Sequence, residues 1–365
     1  MSKLIDEGGY GCVFYPGINC KNKMIKNVSK IQIDDFTAKN EIKVSNRIKK
    51  IENYEIFFLP VKKHCKIKIN KLNSNLLKDC DILKNSNDEK FISMEIDYIN
   101  NISFHKLLTA ENLNNNVIYI QIIDTYKYLI QSVKMLIKNN IIHYDLKGEN
   151  ILISKKTLTP YIIDFGLSID VKTLKPSMWS EYFYVYYPKY YLWCLEIHCI
   201  CYLLHESDKL TLTAVNNMCN TFIDNNKALV IFSNDFKSKY KNLCKQFLSQ
   251  FIGKKKNDII NELLKYKETW DNFSISILYL KTLGYIFDKE FINNSFIIKF
   301  SLLLLQNINP YPDERFSIDE TIDLFDLTQL TETDIIKSEE LSKSIKINKS
   351  KILSKIRKDQ IKIDK

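Results

Sequence analysis

The sequence lacks any uninterrupted apolar run of about 18 residues, the length a membrane-crossing helix needs. Its best candidate, Phe296 to Leu305, is broken by Lys299. The charged start, Met1 to Glu7, has no apolar signal core, which predicts a soluble, unsecreted protein. Cysteine forms no regular framework: nine residues, an odd number, lie scattered at positions 12, 20, 65, 80, 194, 199, 201, 219 and 244. That scatter predicts reduced thiols in a cytosol-like compartment. Cys194, His198, Cys199 and Cys201 have metal-binding chemistry, but their apolar neighbours favour buried core thiols. No internal repeat is visible. The net charge of +10 is modest for 365 residues and sits mainly at the end, where nine Lys or Arg against two Asp from Leu341 onward leave +7.

A chain of this length predicts two lobes or domains. Leu4 to Tyr15 and Lys23 to Ile31 read as short strands around a Gly-rich turn. Asp34 or Asp35 can cap a helix through about Asn53, on which Glu41 shares the inward face with Val44, Ile48 and Ile51. Strand patterns at Phe57 to Val61, Cys65 to Ile69 and Phe91 to Ile96 complete a small sheet-plus-helix unit. From Val117 to Lys138 the apolar spacing predicts a buried amphipathic helix. Ile151 to Ile153 and Tyr161 to Ile163 predict a hairpin, and Tyr190 to Leu327 reads as mainly helical.

Only eight glycines occur, yet three fall at Gly8, Gly9 and Gly11. Such clustering needs a backbone reason, either a tight hairpin or a turn whose amides approach phosphate closely. Downstream, His143-Tyr144-Asp145-Leu146-Lys147-Gly148-Glu149-Asn150 is followed by Asp164-Phe165-Gly166. Phosphoryl transfer needs an acceptor hydroxyl in line with a γ-phosphate, divalent metal to spread charge, and a cation against the transferring group. Asp145, Lys147, Asn150 and Asp164 supply residues of those types, and with them present the glycine turn reads as a phosphate loop.

Together these motifs make the chain resemble the eukaryotic-type protein kinase family over about Leu4 to Leu327. The resemblance implies an α+β bilobal fold: a small β-rich N-lobe at 1–96, a hinge at 97–101, and a large helical C-lobe at 102–330. A helical insertion at about 205–290 and a basic tail at 331–365 complete it. ATP with Mg2+ or Mn2+ is the implied cofactor set, and proteins are the implied substrates. Gly8 and Gly11 match the second and third glycines of the phosphate loop, with Asp6 at the first, and Gly9 and Val13 belong to the same nucleotide-covering segment. Lys30 matches the lysine that holds the α/β-phosphates, with Lys26 as the alternative, and Glu41 matches its helix partner. Asp145 matches the catalytic base, Lys147 the phosphate-contacting lysine of serine/threonine kinases, and Asn150 and Asp164 the metal ligands. Ile96 falls near the gatekeeper, and Asp97, Tyr98 and Ile99 at the adenine-contacting hinge.

Three departures stand out. Tyr144 replaces the Arg that grips a phosphorylated activation loop, which predicts activity without loop phosphorylation. Tyr187-Pro188-Lys189 takes the place of Ala-Pro-Glu, reversing the charge due to pair with Arg315, so Glu196 is the expected substitute. Tyr191 stands where an Asp would anchor the catalytic loop. These features, with the Glu7 to Cys20 pattern, look most like protein kinases of large cytoplasmic DNA viruses, which implies host cytoplasm or virion. The tyrosine-rich run from Tyr182 to Tyr191 reads as loop packing or as a substrate groove. The tail reads as a solvated terminus, or as a segment that docks an acidic partner or polyanion, on a chain expected to be monomeric. Two rival functions remain, a pseudokinase scaffold and a small-molecule kinase.

Overall fold

The computed structural model describes residues 2–9, 11–21, 23–67, 79–85, 90–108, 115–287 and 295–327. Its first part is a five-stranded antiparallel sheet, built from β1 (Lys3–Gly8), β2 (Gly11–Tyr15), β5 (Val28–Ile33), β6 (Lys63–Ile67) and β7 (Phe91–Ile96), in the order β1-β2-β5-β7-β6. A minor hairpin, β3 (Gly17–Ile18) and β4 (Met24–Ile25), joins β2 to β5. The alternation of β5 and β7 buries Ile31 and Phe91 with Cys12 and Phe14 on one side. On the other, Ile92 and Met94 pack with Ala38 of helix α1 (Phe36–Ile48). Asp35 caps that helix by accepting from the Ala38 amide at 2.9 Å. The helix is shorter than its apolar pattern suggests and ends at Ile48. Nor is Phe57 to Val61 a strand: a 3-10 turn at Tyr54–Ile56 leads to a single bridge from Phe58 to Ile162.

The cysteines correct the expectation of reduced thiols throughout. Cys12–Cys80 and Cys20–Cys65 are disulfides, with Cα atoms 6.2 and 5.8 Å apart. Their partners are 68 and 45 residues apart along the chain, so only the packing of the small lobe brings them together. The other five cysteines are free and buried in the helical part. Burial pushes the Cys201 thiol up to about 12 and Cys199 further still, which keeps both protonated among apolar neighbours.

The rest is mainly helical and shares one large core. Helix α2 (Asn115–Lys138) buries Tyr126, Leu129, Val133 and Leu136 at helical spacing and delivers the chain to β9 (Ile141–Ile142). Strands β8 (Asn101–Ser103), β10 (Ile151–Ser154) and β11 (Pro160–Ile162) form a second sheet, and β12 (Ile169–Asp170) pairs with β9. Beyond lie α3 (Leu195–His205), α4 (Leu212–Asn225), α5 (Asn234–Ser249), α6 (Lys256–Leu263), α7 (Trp270–Phe287) and α8 (Ser295–Asn307). Helix α7 is apolar nearly all round, and it is correspondingly central. No helix among the described residues is long and apolar enough to cross a membrane.

Candidate active site

The glycine turn between β1 and β2 roofs a cleft of about 150 Å³. At Gly11 a Cβ would lie 2.4 Å from both the Ile31 carbonyl oxygen and the Gln32 Cβ, so only glycine lets β2 cross β5 this closely. At Gly8 and Gly9 a Cβ would meet nothing within 4 Å, which leaves the backbone open to a ligand. Val13 pairs with Lys30 across β2 and β5, placing the lysine beneath the roof.

Lys30 Nζ donates to Glu41 Oε2 at 2.8 Å and to Asp164 Oδ1 at 2.9 Å. Burial alone would lower the Lys30 pKa, but the two carboxylates outweigh it and hold the ammonium charged. Two acids then share one cation. Burial pushes Glu41 up to about 7, with Lys30 opposing and Asp164 adding to the rise. Burial also acts to raise Asp164, yet Lys30 holds it below the usual carboxylate range. Of the two acids it is Asp164 that faces the cleft, its side chain 42% exposed. Asp164 takes a left-handed backbone, φ 62°, while Phe165 behind it is fully buried against His143 and Phe58. Burial of that ring aims the carboxylate the other way, into the cleft.

The catalytic loop is tied from below. Asp271, buried at the start of α7, accepts from the amides of His143 at 2.6 Å and Tyr144 at 2.8 Å. This corrects the expectation that Tyr191 had displaced the anchoring acid: the acid lies on α7, beyond the four helices α3 to α6. Tyr144, at φ 72°, turns inward onto Trp193, whose indole donates to its carbonyl at 2.9 Å. Asp145 Oδ2 receives Lys147 Nζ at 2.8 Å and Asn150 Nδ2 at 3.1 Å. Asn150 also donates to the Asp145 carbonyl at 2.8 Å, which leaves its own side-chain oxygen for another ligand. Asp145 Oδ1 receives the Tyr190 hydroxyl at 2.8 Å. Burial and the neighbouring carboxylate both raise the Tyr190 pKa, so the phenol remains the donor.

Of the residues singled out from sequence, Gly8, Gly9, Gly11, Val13, Lys30, Asp145, Lys147 and Asp164 line this one cleft, joined by Asp6, Gln32, Thr37 and Leu167. Glu41 and Asn150 are buried immediately behind it. Lys26 is not among the lining residues. Asp97, Tyr98 and Ile99 are not brought there either: Asp97 pairs with Lys62 at 2.7 Å, Tyr98 stacks on Tyr15 at 3.7 Å between ring centroids, and the Ile99 carbonyl accepts from Asn101. Met94, rather than Ile96, is the fully buried β7 residue paired with Lys30. Glu196 takes Arg315, and Lys189 is exposed. Sequence reasoning missed Asp271 and named Tyr190 only as one of the tyrosine-rich run, without its bond to Asp145. Asp271 did leave a signal, an acid at the head of a long apolar helix.

A β-sheet lobe covering a Lys–Glu–Asp cluster, above a helical lobe that presents an acidic catalytic loop, defines the protein kinase class. The chain belongs to the protein kinase domain family, which matches residues 2–190. It is also 29% identical over 167 residues to mitogen-activated protein kinase kinase kinase A of Dictyostelium discoideum. That match covers 46% of this chain but only 16% of the relative.

Proposed function

We propose that the chain is an ATP-dependent protein kinase that moves the γ-phosphate to Ser or Thr hydroxyls, working as a monomer. The observation that carries the reading is Lys30, held at 2.8 Å by Glu41 and 2.9 Å by Asp164 beneath the glycine turn. Charge-assisted bonds at that point leave the ammonium facing a cleft open to phosphate.

Asp145 would accept the proton of the attacking hydroxyl, with Lys147 beside it against the transferring group. Lys147 stays charged because Asp145 outweighs the lowering effect of burial. Asp164 and Asn150 fit a hard divalent cation: both offer oxygen, the first is charged and 42% exposed, and the second has its side-chain amide donor engaged on the Asp145 carbonyl. Asp164 and Asn150 would hold magnesium or manganese, whose charge would offset the negative charge that develops in the transfer. The backbone at Gly8 and Gly9, which nothing crowds, would let amides approach the phosphates closely.

Lys147 two residues after Asp145 supports Ser or Thr over Tyr acceptors. The Glu7 to Cys20 pattern supports a place among kinases of large cytoplasmic DNA viruses, acting in host cytoplasm or virion. Transfer of labelled γ-phosphate to a degenerate peptide library, with phosphoamino-acid analysis, tests the assignment. Phosphoserine and phosphothreonine that vanish in Asp145→Asn are the expected result. Phosphotyrosine alone rejects the acceptor class, ATP turnover without peptide labelling points to a small-molecule kinase, and binding without turnover points to a scaffold.

A further inference from the structure

Asn40, Lys43 and Arg47 of α1 recur at i, i+3 and i+7 and so line one stripe of the helix. All three grip the segment that follows Asp164. Asn40 Nδ2 donates to the carbonyls of Gly166 at 2.9 Å and Ser168 at 2.7 Å. Lys43 Nζ lies 3.0 Å from Asp170 Oδ2 and donates to the Thr173 hydroxyl at 2.8 Å. The Arg47 guanidinium pairs with Asp170 Oδ1 and donates to the carbonyls of Asn139 and Asn140, just past the end of α2. Asp170 itself is 2% exposed and sits opposite Ile141, two residues before the catalytic loop opens at His143.

One buried carboxylate therefore joins the helix that carries Glu41 to a strand pair of which β9 leads into the catalytic loop and β12 follows Asp164-Phe165-Gly166. Kinase activation loops are commonly ordered by an added phosphate that recruits cations. Here the cations of α1 already hold an anion. Tyr144 offers no cation to a phosphate, the Ser168 hydroxyl is buried on the His143 carbonyl at 3.2 Å, and the Thr173 hydroxyl is taken by Lys43.

We propose that Asp170 is a built-in counter-charge, a positioning residue that keeps α1 docked so that Glu41 stays on Lys30 without loop phosphorylation. The inference rests on the reading of the cleft as a nucleotide-phosphate site, and it acts through geometry rather than by touching substrate.

Asp170→Asn keeps the shape and removes the charge. In the full chain without nucleotide, amide hydrogen exchange should quicken across Phe36–Ile48 and stay unchanged in α7. Affinity for a fluorescent ATP analogue with magnesium should fall by roughly 2- to 30-fold, the range for a residue that biases a two-state element without touching the ligand. Asp170→Glu should recover part of that loss. In a Glu41→Gln background the same Asp170→Asn change should add little, because its effect runs through Glu41; an equal loss in both backgrounds overturns the proposal. Should Asp170→Asn fail to fold, Lys43→Met and Arg47→Met withdraw the cations from the other side and should loosen α1 in the same way. Unchanged α1 exchange in every folded variant, or α1 exchange in wild type that quickens after phosphatase treatment, also overturns it. Exchange is read without nucleotide, so a wild type that transfers no phosphate rejects the proposed function and leaves this test decisive.

Discussion

Arg315 and Glu196, 119 residues apart in sequence, meet as a two-pronged ion pair, Nη1 to Oε1 at 2.7 Å and Nη2 to Oε2 at 3.0 Å. Neither side chain is more than 2% exposed. Arg315 also donates from Nε to the Asn309 carbonyl at 2.8 Å and lies over the Phe273 ring. The pair thereby ties α3 to the loop after α8 and to α7, the helix that anchors the catalytic loop. Removing one partner of such a buried pair typically costs about 3–5 kcal/mol, because the other is left charged and unpaired. Glu196→Gln and Arg315→Met should each lower the denaturant midpoint, and the double mutant should lose less than the sum. Strict additivity in the double-mutant cycle would reject the coupling.

Asp145 has both carboxylate oxygens engaged, by Lys147 and Asn150 on one side and Tyr190 on the other. Asp145→Asn should cut phosphate transfer by roughly 10²–10⁴-fold while ATP binding persists, since the nucleotide contacts lie elsewhere. Tyr190→Phe removes only the donor on Oδ1, and a hydrogen bond to a charged group is worth about 1.5–3 kcal/mol. Its effect should appear in kcat and leave ATP affinity alone. Single-turnover transfer, read beside analogue binding, separates the two, and a Tyr190→Phe enzyme with wild-type kcat would remove the phenol from the machinery.

The Lys30 cluster predicts a pH signature. Glu41 moves from 4.5 to about 7 on folding, so between those values the native state binds more protons than the unfolded chain. Stability therefore falls as pH rises through this window, by linkage. Asp271, also raised by burial, contributes in the same direction. Asp164 works oppositely: its depressed pKa contributes stability that is lost only as pH falls below 3.8 toward the folded value. Denaturant unfolding at several pH values should show a shallower decline in Glu41→Gln than in wild type. Parallel curves would mean that Glu41 does not titrate there.

The tail from Leu341 to Lys365 carries +7 and lies outside the described residues. A segment so charged concentrates anions around it, and its contacts weaken as salt screens them. Truncation after Ser338 should leave peptide phosphorylation nearly intact and lower the salt needed for elution from a polyanion column. Elution of both forms at one salt concentration would exclude the tail as an anion-binding element.

What the sequence alone determined was everything that depends on neighbours along the chain. Asp145, Lys147 and Asn150 fall within six residues, so any fold that builds this loop keeps them together. The glycines at 8, 9 and 11 likewise mark a turn whatever surrounds it. Lys30 and Glu41 were legible because strand alternation and helical spacing say which way each side chain points.

Tertiary structure decided the contacts that close long loops. Asp271 reaches His143 across 128 residues, Arg47 reaches Asp170 across 123, and Cys12 finds Cys80 across 68. No local propensity encodes such a meeting, because partners far apart are chosen by which apolar faces pack and not by spacing. The same reason displaced the anchoring acid from Tyr191 to α7. Three helices between α3 and α7 lengthen the interval without moving Asp271 out of the core, since α7 is buried by its own apolar surface. Sequence order therefore misplaced the anchor, and packing restored it.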